Sequence, residues 1–505
     1  MWLFEWALST MDIIDSLPSE MVDALSLAAH HIRDSKRVLA ISHIDADGIT
    51  SLAIVISLLE REGKEFEWRN IHQLNTETMS ESWKLIQDYR PDLVVFSDLG
   101  TGQMRLIREL VESEKSLSGV IVLDHHLPQE EGHEVGNEGR IIEVNPHNHG
   151  LSGSYDVSGA GVAFLLALML NPGNYDLSEL AIVGATGDLQ RYYGKGFVGV
   201  NKDIVELAQR TGVVRVYRDL TFFGINTRPL PFLLEFSTEP FIPGLTGERD
   251  ACYAFFENRQ IPLKDEEGNW RVWTDLSPEE KRRAVQGLIE AILEAGYDQS
   301  IAQGIIGDVV ELLHRPPRSE MRNAKEFSTL LNACGRNSKA EVGVRICLND
   351  QEAYAQGRTL LQVHRQNLAD ALRRLEEGGY RDMGGMYVVQ DPDTPDTIIG
   401  IVIGMAQGSR IVPTDKPVIG IATRESEDSP YVKISGRAHK SLIKRGINLK
   451  EVFVEVARTL NEKYDALVVE AGGHPMAAGA FVHTQHLDEF LKMVSRAFSE
   501  IVSHR

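Results

Sequence analysis

The chain has 505 residues, 43% of them apolar and 25% charged, which is too long for one ordinary core and reads as about three globular domains. Its net charge of −21, from 73 acids against 52 bases, excludes a surface that coats nucleic acid uniformly with positive charge but leaves room for a local basic groove. No run approaches the ~18 apolar residues of a membrane span, the opening "MWLFEWALSTMDIIDSL" carries acids where a secretory signal needs lysine or arginine, and Cys252, Cys334 and Cys347 lack CxxC spacing. The expectation is a cytoplasmic protein with free thiols and no membrane partner.

In chain order, short apolar runs alternate with amphipathic stretches from about residue 36 to 146. "RVLAISH" (37–43), "DLVVFSD" (92–98), "GVIVLDH" (119–125) and "RIIEVNP" (140–146) read as strands, and "GITSLAIVISLLEREG" (48–63) and "TMSESWKLIQDY" (78–89) as helices. That rhythm predicts βαβ units around a largely parallel sheet. "ELAIVGATGDLQ" reads as a helix rich in small residues. Past about residue 215 the rhythm stops. Residues 216–384 hold Pro-rich turns, a helix over 277–295 with Ser277 as N-cap and Pro278 in its first turn, and a long helix near 350–377. From 385 to 437 "GMYVVQD", "TIIGIVIG", "PVIGIAT" and "YVKISGR" read as strands of a separate α/β domain, followed by a helix near 449–460. The predicted organisation is an α/β parallel-sheet domain with an N-terminal helix (1–215), a mixed, mainly helical insertion (216–384) and a C-terminal α/β domain (385–505).

Three of the apolar runs end in titratable groups: His43, Asp45 and Asp47 after the first, Asp98 after the second, and Asp124, His125 and His126 after the third. Parallel strands present their carboxyl ends on one edge, where ligands bind. At least four carboxylates and two or three imidazoles gathered there repel one another unless cations hold them. Carboxylate oxygen with some imidazole suits Mn2+, with Mg2+ as the alternative. Two such ions form a clamp for the attacking and leaving oxygens of a phosphoryl group, so the chemistry implied is phosphoester or phosphoanhydride hydrolysis. Taken singly the signals are blander: Asp98 alone, before Gly100, reads as a helix N-cap.

"SHIDADGITS", "VVFSDLG", "VLDHH" and "GATGDL" resemble, in order and spacing, the four motifs of the DHH phosphoesterase superfamily. The resemblance implies that Asp45, Asp47, Asp98, His125 and Asp188 bind two Mn2+ ions with Asp98 bridging. It also implies that His126 faces the phosphate and that Asp124 orients a histidine. One departure stands out. Pyrophosphatase and nano-RNase members carry a ligand histidine four residues before the first aspartate, where this chain has Ile41; His43 stands two before, and is a sixth metal candidate.

"GGHPMAAGAF" (472–481) resembles the glycine-rich signature of the DHH-associated C-terminal domain, which binds substrate. There Gly472 and Gly473 free backbone N–H groups for a phosphate, and His474 is expected at the start of a helix. Upstream, "KISGRAHKSLIKRG" (433–446) concentrates bases in an acidic chain, and Ser435-Gly436-Arg437 resembles the RecJ pattern, which implies phosphate contacts. A string of such contacts suits a polymer and makes binding salt-dependent.

The insertion, including "LLNACGR" (330–336), resembles that of archaeal RecJ-like, GINS-associated nucleases. The reading is therefore a Mn2+-dependent exonuclease for single-stranded DNA or RNA in replication or repair, threading one strand between two domains, with a GINS-like replisome protein as a further partner. Tyr192, Tyr193, Phe222 and Phe223 are candidates for base stacking, or else core. Two alternatives are a phosphoesterase for oligoribonucleotides, cyclic dinucleotides or phosphoadenosine phosphate, and a replisome scaffold with a relic metal site. The 170-residue insertion weighs against the first and the complete set of ligands against the second.

Overall fold

The computed structural model describes residues 12–74, 76–128, 139–190, 196–237, 242–295, 299–422 and 430–503. The chain divides into two compact units, residues 1–235 with 247–361, and 236–246 with 362–505.

The first unit opens with α1 (Ser19–Asp34), β1 (Arg37–Ser42), α2 (Ala46–Arg61), β2 (Glu65–Asn70), α3 (Thr76–Tyr89), β3 (Leu93–Ser97), α4 (Met104–Ser113), β4 (Gly119–Leu123) and β5 (Ile141–Val144). The five strands form an all-parallel sheet in the order β2-β1-β3-β4-β5. β1, β3 and β4 are apolar on both faces because helices cover both. Val38, Ala40, Leu93, Val95, Ile121 and Leu123 enter one core, with α1, α2 and the helices that follow β5; Leu39, Ile41, Val94, Phe96, Val120 and Val122 enter the other, with α3 and α4. The period-2 alternation of a strand explains the split. After β5 come α5 (Gly159–Leu170), α6 (Ser178–Gly187) and α7 (Gly199–Arg210). α6 is the predicted small-residue helix, and it ends one residue before Asp188.

Beyond α7 the unit adds β6 (Val214–Leu220), α8 (Leu230–Glu235), α9 (Arg249–Glu257), α10 (Pro278–Glu294), α11 (Gln299–Gly304), β7 (Ile306–Leu312), α12 (Ala324–Arg336) and α13 (Ala340–Cys347). β6 and β7 form a two-stranded antiparallel ribbon, a long-range pairing that the sequence reading did not contain. α10 starts as expected: the Ser277 hydroxyl accepts from the Glu280 N–H while the Glu280 carboxylate accepts from the Ser277 N–H. Phe222 is buried, and Phe223 packs against the core that the parallel sheet shares with α1 and α2, under Arg228; Tyr192 and Tyr193 lie outside the described residues. All three cysteines are buried free thiols.

The long helix α14 (Gln351–Gly378) contains the division between the units. Its second half buries Ala371 and Leu375 with the C-terminal sheet, so the second unit begins within the helix rather than after it. β8 (Arg381–Asp382), β9 (Tyr387–Gln390), α15 (Asp396–Gly408), β10 (Val418–Ile421), β11 (Tyr431–Arg437), α16 (Lys440–Lys444), α17 (Leu449–Tyr464), β12 (Val469–His474), β13 (Ala477–His483) and α18 (Leu487–Ser503) complete the chain. The strand order is β12-β13-β11-β10-β9-β8, with β9 and β10 parallel and the other pairs antiparallel.

Two sequence expectations fail in this unit. "TIIGIVIG" is not a strand but most of α15, with Ile398, Ile399, Val402 and Ile403 buried at helical spacing. An apolar run of that length carries no period, and only the packing partner decides. His474 does not begin a helix; it ends β12, and "GGHPMAAGAF" is a β-hairpin. The small residues serve close strand pairing, not helix packing. Among the described residues no helix is long and apolar enough to cross a membrane.

Candidate metal centre and substrate row

The sheet topology places the ends of β1, β3 and β4 side by side, since β3 lies between the other two. Asp45 caps α2, accepting a hydrogen bond from Gly48 N–H at 3.0 Å, which turns the chain sharply and brings Asp47 inward. Asp47 is buried at the start of α5, where its carboxylate accepts from Gly159 N–H (2.7 Å) and Ala160 N–H (3.1 Å). The partial positive charge of a helix N-terminus suits a carboxylate. Two glycines make the approach possible: a Cβ on Gly184 of α6 would stand 2.3 Å from Asp47 Oδ1, and one on Gly159 would stand 2.8 Å from Asp98 Oδ1.

Asp98 is the centre. It is buried, its backbone is left-handed (φ 57°), and neither carboxylate oxygen accepts a hydrogen bond. It is not the N-cap that its sequence position suggests; the short 3-10 turn after it is entered from Gly100. A buried carboxylate left in that state is costly, and backbone strain of this kind persists where function holds it. Around it lie two groups of ligand atoms. His43 Nδ1 is 3.2 Å from Asp45 Oδ2 and 3.8 Å from Asp98 Oδ2. His125 Nε2 is 3.2 Å from Asp98 Oδ1, 3.5 Å from Asp47 Oδ2 and 3.8 Å from Asp188 Oδ2. His43, Asp45 and Asp98 offer one mutually close set, Asp47, His125 and Asp188 a second, and Asp98, His125 and His126 a third. The sequence-predicted ligands thus meet, His43 included.

The electrostatics are those of a crowded anionic site. Burial and the charges of Asp47 and Asp45 push Asp98 well above the usual carboxylate range. Burial, then Asp47 and Asp45, raise Asp188 to about 6, and burial also raises Asp47. Burial works against His125, but Asp188 and Asp47 carry it up to about 9. Cations would neutralise what protons must otherwise hold, and the mixed oxygen and imidazole donors fit Mn2+ or Mg2+.

His126 differs. Its side chain is half exposed, and its Nδ1 lies 2.7 Å from Asp124 Oδ1. Asp124 is fixed by N–H groups of Thr101, His125 and His126, while Asn145 donates to the His126 carbonyl. Burial opposes protonation of His126, but Asp124 outweighs it and raises the imidazole to about 9.

Gln190 belongs to the site and was not anticipated. It is fully buried, donating from Nε2 to Gly153 O (2.7 Å) and Asp188 Oδ2 (2.8 Å) and accepting from Asn201. Gly153 O is 2.6 Å from His125 Nδ1, so one amide ties two candidate ligands together. "LLNACGR" also acquires a place: Asn332 Oδ1 accepts from Ala46 N–H at 2.9 Å, and a Cβ on Gly335 would stand 1.9 Å from Ile44 O. α12 therefore braces the loop that carries Asp45 and Asp47.

In the C-terminal unit Ser435, Gly479 and Gly472 are register partners across β11, β13 and β12, as are Arg437, Ala477 and His474. Ser435, Arg437, Gly472 and His474 accordingly share one sheet face. α15 covers part of that face, and Gly400 and Gly404 leave the volume that the Arg437 side chain fills: a Cβ on Gly400 would stand 2.8 Å from its Nη2. Gly473, at φ 126°, takes a conformation that suits glycine.

Family models match residues 37–187 (DHH family, N-terminal domain), 222–306 (DHH-CID domain) and 383–500 (DHHA1 domain). The chain is a RecJ-like member of the DHH superfamily. An uncharacterized protein of Methanocaldococcus jannaschii is 29% identical over 463 residues, 92% of this chain and 93% of its own. The single-stranded-DNA-specific exonuclease RecJ of Thermus thermophilus is 27% identical over 185 residues, 34% of this chain and 25% of that protein. Two solved structures share the fold: Mn2+-bound Thermus thermophilus RecJ (TM-score 0.56, 20% identity, 96% of this chain and 55% of that one) and CDC45 of Entamoeba histolytica (0.58, 14%, 98% and 99%). The chain spans about half the length of that RecJ. It is thus a DHH-family phosphoesterase with the RecJ and CDC45 fold.

Proposed function

We propose that the protein is a Mn2+-dependent exonuclease that shortens single-stranded DNA or RNA from an end by hydrolysing the terminal phosphodiester. The observation that carries this reading is Asp98, whose two buried oxygens take no hydrogen bond and face separate sets of carboxylate and imidazole ligands. In the reading His43, Asp45 and Asp98 hold one cation, and Asp47, His125 and Asp188 the other, with Asp98 shared. When bound, the pair supplies a nucleophilic water at neutral pH and neutralises charge on the phosphoryl oxygens. His126, held protonated by Asp124, donates to a phosphate oxygen and steadies the charge that develops on it. Gln190 keeps His125 and Asp188 in register.

The RecJ fold and the Ser435, Arg437, Gly472 and His474 row support a polymer substrate, since a run of phosphate contacts adds little for a dinucleotide. A second reading keeps the same chemistry and adds docking to a GINS-like replisome protein; the likeness to CDC45 favours it over the whole chain. End-labelled single strands of DNA and RNA, labelled at 5′ or 3′ and incubated with Mn2+, test the proposal, with Asp98→Ala as control. Stepwise shortening that the variant lacks is expected. Cleavage of a dinucleotide alone, or none of either, would refute it.

A further inference from the structure

Beside the metal centre lies a cavity of about 470 Å³ that the proposed chemistry does not use. Its walls include Ile44, Trp68, Asn70, His72, Ser338 and Glu341. β2 is the edge strand next to β1, and Asn70 is the register partner of Ser42, so the cavity opens at the same carboxyl edge as the ligand-bearing loops. Three contacts join it to the centre through His43. Asn70 Nδ2 donates to His43 O at 2.6 Å, the His72 ring stands 6.5 Å from the His43 ring edge-on, and Ile44 separates His43 from Asp45. The walls are stiff, because Gly335 presses α12 against Ile44 and the turn between α12 and α13 supplies Ser338.

We propose that this cavity seats the base of the nucleotide whose phosphate reacts, with the base stacked on the indole of Trp68; the inference rests on the exonuclease reading and names a subsite for it. Trp68 is half-buried, packs against the core of the first unit and lines the cavity. The cavity volume falls within the roughly 300–1,000 Å³ of small-molecule sites. Its chemistry is that of base recognition without a code: an aromatic platform, an aliphatic wall at Ile44, amide, imidazole and hydroxyl groups, and one charge of each sign at Arg69 and Glu341. Stacking tolerates every base because every base has a π-face, which suits an enzyme that removes nucleotides in succession.

The test uses the full chain loaded with Mn2+ and two probes, 2′-deoxyadenosine 5′-monophosphate and 2-deoxyribose 5-phosphate, with binding followed by calorimetry and by tryptophan fluorescence. The wild type is expected to prefer the nucleotide about tenfold, with quenching that Trp68→Ala removes. That variant should bind both probes about equally, and Trp68→Phe should restore most of the preference. Trp68→Leu, which keeps the apolar bulk against the core, serves should the alanine variant fail to fold. An undiminished preference in either Ala or Leu variant, or no preference in the wild type, would overturn the subsite. Hydrolysis of labelled strands by the wild type separates the two claims: shortening without base preference removes the subsite alone, and base preference through Trp68 without hydrolysis removes the exonuclease reading alone.

Discussion

Replacing Asp98 with asparagine separates its service to cations from its service to the fold. Asparagine tolerates the left-handed backbone at this position (φ 57°) and keeps the shape while removing the charge. In the metal-free protein the Asp98 carboxylate accepts no hydrogen bond, and burial and the charges of Asp47 and Asp45 outweigh its attraction to the neighbouring imidazoles, so its charge is net unfavourable there. Metal-free Asp98→Asn should be at least as stable as the wild type. With Mn2+ the order reverses. A cation at 100 times its dissociation constant stabilises the fold by about 2.7 kcal/mol, a shift of roughly 4 °C in a unit of this size, and the variant should lose most of it. Scanning calorimetry of chelator-treated protein with and without Mn2+ reads both effects, and phosphodiester hydrolysis should fall on the order of 10³-fold. An equal Mn2+-induced shift in the variant would refute the reasoning.

Gln190→Leu keeps the volume but leaves Gly153 O and Asp188 without their amide donor; Mn2+ affinity should fall about 10–100-fold with the fold intact, as calorimetric titration would show. Arg437→Ala should weaken single-strand binding and lower the slope of log affinity against log salt by about one, measured by fluorescence anisotropy. Glu326, fully buried in α12, is raised by burial from 4.5 to about 7. Folded protein therefore holds a proton that unfolded protein releases, and stability falls as pH rises from about 4.5 to 7, by about 3 kcal/mol at most. Glu326→Gln should remove that fall, so that its advantage in urea denaturation is larger at pH 8 than at pH 5.

The first domain was legible because its signals are local. Each strand that carries a candidate ligand announces itself as an apolar run ending in Asp or His, and parallel topology then brings Asp47, Asp98 and His125 together without further information. Ser277 and Pro278 spelled out a helix start in two residues. What was hidden depends on partners distant in the chain. Gln190 carries no motif of its own, and its role comes from Gly153 and Asn201. The ribbon of β6 and β7 joins residues about 90 apart. "TIIGIVIG" has the length of a strand and the composition of one, and is a helix whose Ile398, Ile399, Val402 and Ile403 are buried at helical spacing while Gly400 and Gly404 leave room for Arg437. The glycine-rich hairpin, read as a substrate element by resemblance alone, was misjudged as the start of a helix, since small residues suit close packing in either form.

The central claim is a pair of cations sharing Asp98. Crystals soaked in Mn2+ and measured at the manganese absorption edge test it directly. Two anomalous peaks about 3.5–4 Å apart, one against His43 and Asp45 and the other against Asp47, His125 and Asp188, with Asp98 between them, are predicted; a single peak away from Asp98, or none, would contradict the account.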